Sequence, residues 1–240
     1  SMLRQPVTAI LAWSVLFVLL NNSLIFSQSN WPRFRGPNGG GLVDGAQLPE
    51  DISDAEYHWK VKLAGIGSSS PVIWGQHLFV TSCDPSSGKL TLECLDALSG
   101  KVRWSKVFKQ GVYRVHGRNN FASSTPAVDE NHIYLTYADP DHTMLVALDH
   151  DGNQKWQRDF GTWTSQHGFA ASPMVYDDKV IVFNSQQSDR LKPGQKSGGS
   201  HVIAVDRETG ADAWSSSLTS TRACYAIPSI FKDKNGTEQL

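Results

Sequence analysis

Cysteine is scarce: three residues in 240, at Cys83, Cys94 and Cys224. An odd number leaves at least one thiol without an intramolecular partner. Cys83 and Cys94 fall on one hairpin, but a turn near Ser86, Ser87 and Gly88 sets Cys83 opposite about Leu90. A bond between the two thiols would require a shifted register, and Cys224 has no obvious partner. Net charge is also small, −1 from 22 basic and 23 acidic residues, which excludes the basic footprint of a nucleic-acid binder. Long apolar runs are missing too. The most extended, residues 9–20, has twelve residues, whereas a membrane-spanning helix needs roughly 20. The HExxH zinc motif, a phosphate-binding glycine loop and any recognisable nucleophile motif are all absent.

Arg4 is the only charged residue before Arg33, and it precedes that short apolar stretch. The pattern predicts a secretory signal peptide over residues 1–29, cleaved after Ser27 or Ser29, with an uncleaved N-terminal anchor as the alternative. Removing residues 1–29 takes away Arg4, so 21 basic and 23 acidic residues remain, a net of −2. No cysteine follows the apolar stretch until Cys83, so the lipoprotein cleavage pattern is absent. The expected location is secreted or periplasmic. Contact with a membrane would run only through a partner or an uncleaved anchor. Residues 30–56 read as an extended N-terminal segment.

What the chain does have is repetition. The stretches LECLDALSGKVRW (residues 92–104), LVALDHDGNQKW (145–156) and HVIAVDRETGADAW (201–214) share apolar positions, an Asp, a glycine-containing turn and a closing Trp. A small-residue run ending in proline precedes each, at Pro71, Pro126 and Pro173, with a fourth copy at Pro228. The proline spacings are 55, 47 and 55 residues and the tryptophan spacings 52 and 58, the periods of a repeat architecture. After each proline, β-branched and aromatic runs such as His77-Leu78-Phe79-Val80, His132-Ile133-Tyr134-Leu135 and Lys179-Val180-Ile181-Val182-Phe183 read as buried strands. The Asp-to-Trp segment adds two strands joined by a tight turn. Four antiparallel strands per repeat is the composition of a propeller blade.

The runs at Cys94 to Trp104 and Ala204 to Trp214 resemble the repeat of PQQ-like, quinoprotein-type β-propellers, and Trp31-Pro32-Arg33-Phe34-Arg35-Gly36-Pro37-Asn38-Gly39 resembles the mature N-terminus of a bacterial secreted branch. The resemblance implies an all-β fold with residues 57–240 forming a partial propeller: about three complete blades and parts of two others. It implies a full ring of seven or eight blades, of which this chain is the N-terminal part. Tyr57-His58-Trp59-Lys60-Val61 is expected to be the last strand of another blade. Trp104, Trp156 and Trp214 are expected to pack against neighbouring blades, with the glycine of each repeat permitting the turn before them.

Loop lengths then select a working face. Turns between first and second, and between third and fourth, strands are short. The opposite face collects residues 109–124, 161–171 and 185–200, and long loops on a rigid scaffold are where binding residues gather. Two of these loops resemble each other: His116-Gly117-Arg118-Asn119-Asn120-Phe121-Ala122 and Gln166-His167-Gly168-Phe169-Ala170. His116, Arg118, Asn119, Asn120, Gln166 and His167 form the candidate site for an anionic ligand or a peptide, with Trp163 as a stacking surface. The alternative is that the histidines satisfy loop backbone groups. His77 and His132 are expected to be solvated turn positions. Asp149-His150-Asp151-Gly152-Asn153 partly imitates a calcium loop but reads as a repeat turn.

Two functions follow from the resemblance. One is a non-enzymatic binding scaffold, similar to the propeller lipoprotein of the outer-membrane β-barrel assembly machinery, that holds an envelope or extracellular protein without a cofactor. The other is a dehydrogenase oxidising alcohols or sugars with PQQ and calcium. The resemblance gives the dehydrogenase reading an adjacent Cys-Cys pair and Glu, Asn and Asp ligands for calcium. The sequence has no adjacent pair and no recognisable ligand set, which favours the scaffold.

Overall fold

The computed structural model describes residues 30–37, 39–43 and 51–240. The signal peptide expected over residues 1–29 lies outside the described residues. No helix among the described residues is long and apolar enough to cross a membrane.

Three four-stranded antiparallel sheets follow one another in chain order. The first blade contains β1 (Val72–Trp74), β2 (His77–Asp84), β3 (Lys89–Asp96) and β4 (Val102–Lys109). The second contains β5 (Ala127–Val128), β6 (His132–Ala138), β7 (Thr143–Asp149) and β8 (Gln154–Asp159). The third contains β9 (Met174–Tyr176), β10 (Lys179–Asn184), β11 (Ser200–Asp206) and β12 (Asp212–Leu218). A hairpin of β13 (Phe231–Lys232) and β14 (Glu238–Gln239) begins a fourth. The short strands β1, β5 and β9 approach one another on the inner side, and the fourth strands lie outermost.

Both faces of each sheet need cover, because β6 and β7 are buried along nearly their whole length. Alternation at period two divides the cover between neighbours. Ile133, Leu135, Val146 and Leu148 pack with Phe79, Leu92 and Cys94 of the first blade. Tyr134, Leu145 and Ala147 pack with Val180, Val182 and Val205 of the third. The core is therefore a series of dry seams between blades.

Each seam is closed at its outer edge by an indole. Trp104 donates from Nε1 to the His150 carbonyl (2.8 Å), and Trp156 donates to the Arg207 carbonyl (3.0 Å). The rings lie on Gly152 and Gly210, where a Cβ would come within 3.2 and 2.7 Å of ring atoms. Both glycines hold the left-handed region, φ +85° and +72°, which favours their lack of a side chain twice over. Lys106 and Arg158, two residues after each indole, donate to the carbonyls of the same glycines (2.9 and 2.6 Å). Opposite the indoles sit Cys94, Ala147 and Ala204, and a register shift follows each of them on the third strand. This recurring bulge leaves Arg103, Lys155 or Ala213 unpaired and re-aims the next side chain, Trp, toward the neighbouring blade.

Two sequence expectations change here. The segment 57–61 is extended but forms no ladder, since no strand lies beside it among the described residues. Trp59 nevertheless behaves as the preceding repeat's indole: it donates to the Ala97 carbonyl (3.1 Å) and covers Gly100, where a Cβ would meet the ring at 2.5 Å. Trp214 has no such turn to cover among the described residues, where it is 38% exposed.

The proline-preceding small residues form a second link. Ser70 N–H donates to Thr125 Oγ1 and Thr125 N–H to Ser172 Oγ, both at 2.9 Å. The N-terminal segment crosses the inner strands. Trp31 pairs with Ile73, the Val128 N–H donates to the Pro32 carbonyl (2.8 Å), and Arg33 donates to the Pro228 carbonyl (3.0 Å).

Cys83 faces Leu90, and all three thiols are free. Burial raises the Cys83 thiol and pushes Cys94 up to about 12, so only the exposed Cys224 is poised to react. Thiol titration is expected to find one reactive cysteine in the native protein and three in denaturant. Urea unfolding is expected to show Trp156→Ala losing about 3 kcal/mol. Trp214→Ala, by contrast, should lose less than about 1 kcal/mol.

Candidate functional site

The long connections share one face, as their lengths predict, and the four-residue turns 85–88 and 139–142 lie there too. On the opposite face lie the two-residue turns 75–76 and 177–178, the 129–131 turn and the Asp-to-Gly turns of the repeat; the long connections are 110–126, 160–173, 185–199 and 219–230. The short turns are sealed by their own carboxylates. Asp96 Oδ1 accepts from the Leu98 and Ser99 amides, Asp149 Oδ1 from those of Asp151 and Asn153, and Asp206 Oδ1 from those of Glu208 and Thr209. The calcium-loop imitation at Asp149 is thus one of three equivalent turns. Hydrogen bonds from Arg103 and Ser99 hold the Asp96 carboxyl below the usual carboxylate range.

His132 departs from the solvated position expected of it. It is 5% exposed, its amide donates to Asp129 Oδ1 (2.7 Å), and its ring lies 3.4 Å from the Tyr134 hydroxyl. Tyr134 donates to Asp129 Oδ2 (2.9 Å), and Arg207 of the third blade reaches Glu130 (2.9 Å) and Asp129 (3.5 Å). These groups form a polar clasp across the seam. His77 is half-buried, stacked on Phe79 and 3.2 Å from Arg103.

On the loop face the two similar loops meet directly. The His116 amide donates to the His167 carbonyl (3.2 Å), and Asn119 Nδ2 donates to the same oxygen (2.7 Å). Gly168, at φ +100°, allows this approach, since a Cβ there would lie 2.6 Å from Asn119 Nδ2. Ser165 Oγ accepts from the His167 and Gly168 amides and from the Tyr225 hydroxyl (3.2, 2.9 and 3.2 Å). The result is a cleft of about 270 Å³ lined by His116, Arg118, Asn119, His167, Ala170 and Tyr225. The two imidazoles stand edge to face at 5.2 Å, and Tyr225 lies 6.2 Å from His167.

The cleft's chemistry is that of a donor. His116 Nδ1 accepts from the Arg118 amide (3.2 Å), which in the neutral ring assigns the proton to Nε2. Arg118 forms no ion pair among the described residues, and no acidic side chain lines the cleft. Donors and a cation facing solvent suit an anionic group.

Three predicted residues stand elsewhere. Asn120 is turned into the loop, donating to Ser68 Oγ (2.7 Å) and accepting from the Ala122 amide (2.8 Å). Gln166 accepts from Arg222 (3.3 Å), which in turn pairs with Asp189 (3.0 Å). Trp163 offers no stacking surface: it is 3% exposed, with Tyr113 and Phe169 against its ring at 6.5 and 5.2 Å. Sequence reasoning missed Tyr225. The signal was an aromatic residue three to five positions before three of the four repeat prolines, at Phe121, Phe169 and Tyr225.

A quinone with calcium fits poorly among the described residues. Cys83 and Cys94 are buried inside the first blade and Cys224 is remote in sequence, so no adjacent pair exists. The repeat-turn carboxylates are occupied by backbone amides, and the loop-face indole, Trp163, is enclosed.

Three four-stranded antiparallel blades around a common inner edge, each docked on the next by an indole, define a β-propeller. The family model described as outer membrane protein assembly factor BamB matches residues 51–236, and the chain belongs to that family of PQQ-type propellers. No curated protein matches the chain significantly. Among solved structures, a europium-containing methanol dehydrogenase is 20% identical over 66% of this chain and 26% of its own, with a TM-score of 0.48. A quinohemoprotein alcohol dehydrogenase from Pseudomonas putida HK5 is 16% identical over 65% of this chain and 27% of its own, at 0.44. BamB from Moraxella catarrhalis is 22% identical over 65% of this chain and 53% of its own, at 0.38. This chain thus covers between about a quarter and a half of those structures' lengths.

One titratable pair on the loop face has a definite sign. The hydrogen bond that His142 Nδ1 donates to Asp159 Oδ2 (2.6 Å) raises the imidazole above the ordinary histidine value. Stability from this pair is therefore full below the unfolded histidine value and fades as pH rises through the raised one. NMR titration is expected to find His142 titrating high, and Asp159→Asn to return it to the ordinary range.

Proposed function

We propose that this protein is a non-enzymatic binding scaffold of the bacterial envelope whose loop-rich face holds a protein partner. One observation carries the reading: the His116–His167 cleft, where two loops from successive blades lock together through the His167 carbonyl and leave donors directed outward. Its lining has hydrogen-bond donors, a cation and an aromatic wall, but no nucleophile oriented by a base. That is equipment for recognition, with an acidic segment of the partner as the complementary surface. The BamB-type family membership supports the same reading, and it favours a periplasmic or secreted location.

The second reading is the PQQ- and calcium-dependent dehydrogenase. It rests on the enzymes among the similar structures, while the described donor set speaks against it.

The two readings separate in one pair of experiments. Titration with PQQ and calcium, followed by tryptophan fluorescence, is expected to give no saturable quenching at micromolar cofactor; calcium-dependent saturation would establish the second reading. Crosslinking in envelope extracts is expected to yield a discrete partner that Arg118→Ala with His167→Ala weakens by about tenfold, near 1.4 kcal/mol. Thermal stability should stay nearly unchanged. A partner retained equally by both proteins would place recognition elsewhere.

A further inference from the structure

A second site lies toward the propeller axis and shares the Tyr225 wall with the loop-face cleft. Arg33 enters the channel on the N-terminal segment and is 7% exposed. Its guanidinium has five N–H donors. Among the described residues one hydrogen bond uses them, from Nη1 to the Pro228 carbonyl at 3.0 Å, and no carboxylate there lies within ion-pairing distance. A charge buried without a counter-ion is costly unless something supplies one. Burial accordingly lowers the guanidinium's affinity for its proton, with no neighbouring carboxylate to offset it.

The unmatched end of Arg33 faces a cavity. Gly39, at φ +69°, comes so close that a Cβ would stand 2.5 Å from Arg33 Nη2 and 3.5 Å from Ser229 Oγ. Those groups line a cavity of about 250 Å³, with Arg35 at its edge and Phe34, Ala226 and Ile227 as apolar walls. Among the described residues its lining contains no acidic side chain. On the other side of Arg33 a second cavity does include Asp129 and Glu130, but both are engaged by Arg207. Arg35 itself sits in the left-handed region, φ 62°, a conformation that a non-glycine residue adopts only when its surroundings impose it.

We propose that this axial cavity is a binding site for a small oxyanion, a carboxylate or phosphate, received by the free edge of Arg33 with Arg35 and the Ser229 hydroxyl beside it. A planar guanidinium fork matches either group in two parallel hydrogen bonds. The cavity's volume corresponds to roughly eight waters of liquid, room for a short carbon skeleton against the apolar wall. Occupancy would supply the missing counter-charge and bind the N-terminal segment to the start of the fourth blade, because Arg33 and Ser229 belong to those two elements.

The test is calorimetric titration of the 240-residue chain with inorganic phosphate and, separately, with succinate, at constant ionic strength set with chloride. Saturable binding is expected for at least one; binding of phosphate alone or succinate alone identifies the source of the oxyanion. Arg33→Gln is expected to bind at least about tenfold more weakly while still unfolding cooperatively. No saturable binding of either anion up to about 10 mM, the range of the weakest specific sites, would overturn the proposal. Undiminished binding by Arg33→Gln would do the same. If Arg33→Gln does not fold, Arg35→Ala with Ser229→Ala decides: a loss of about threefold or more supports the site, and unchanged binding refutes it.

Discussion

Everything in this molecule depends on how one sheet is fastened to the next. A four-stranded sheet whose second and third strands are apolar on both faces cannot stand alone in water, so each blade is stable only as a neighbour of another. The fastening is the indole of one blade laid on the glycine turn of the following one. Several local features exist to make that contact possible: the small residue opposite each Trp, the bulge that follows it, and the left-handed glycine beneath the ring. A carbonyl next to the Asp of the turn accepts the indole N–H, so the contact is directional as well as apolar. Repetition of the sequence motif is repetition of this joint.

A rigid series of such joints leaves two kinds of place for function. The first is the face where long connections lie. Loops of successive blades come side by side there, and the similarity of residues 116–122 and 166–170 becomes a physical contact through the His167 carbonyl. The second is the axis, where short inner strands leave room that the N-terminal segment fills. That segment is bound by backbone pairing at Trp31 and Pro32. Its one deeply buried charge, Arg33, is therefore held in place mainly by backbone pairing, and its guanidinium adds a bond to the Pro228 carbonyl. The two places share a wall at Tyr225, which borders both the cleft and the axial cavity.

Much of the candidate cleft's lining was legible because loop length and loop likeness survive in a linear string. His116, Arg118, Asn119 and His167 are neighbours in space since their loops occupy equivalent positions one period apart. The misreadings share a cause. Trp163 and His132 look like available aromatic and polar groups in sequence, yet both are buried, by packing partners dozens of residues away or in the adjacent blade. Asn120 and Gln166 look like ligands, and their hydrogen-bonding capacity is used by Ser68 and Arg222. Whether a polar side chain is free depends on the company it keeps, and adjacency in the chain says little about that.

The sequence by itself determined the strand content, the four-stranded blade and the positions of its turns. These are local consequences of alternation, of β-branched runs, and of Asp and Gly at fixed offsets, and each recurs at every period. It also determined which residue closes each seam, since a Trp needs a small residue across the ladder and a glycine ahead of it. Only the tertiary structure decided what each indole covers: Trp59, Trp104 and Trp156 lie on Gly100, Gly152 and Gly210 of the following turn. Only the tertiary structure likewise placed Arg33 on the axis with no counter-ion among the described residues, and Tyr225 between cleft and cavity. The reason is that burial and charge balance belong to the assembled blades: they depend on distances between residues that no periodicity in the chain specifies.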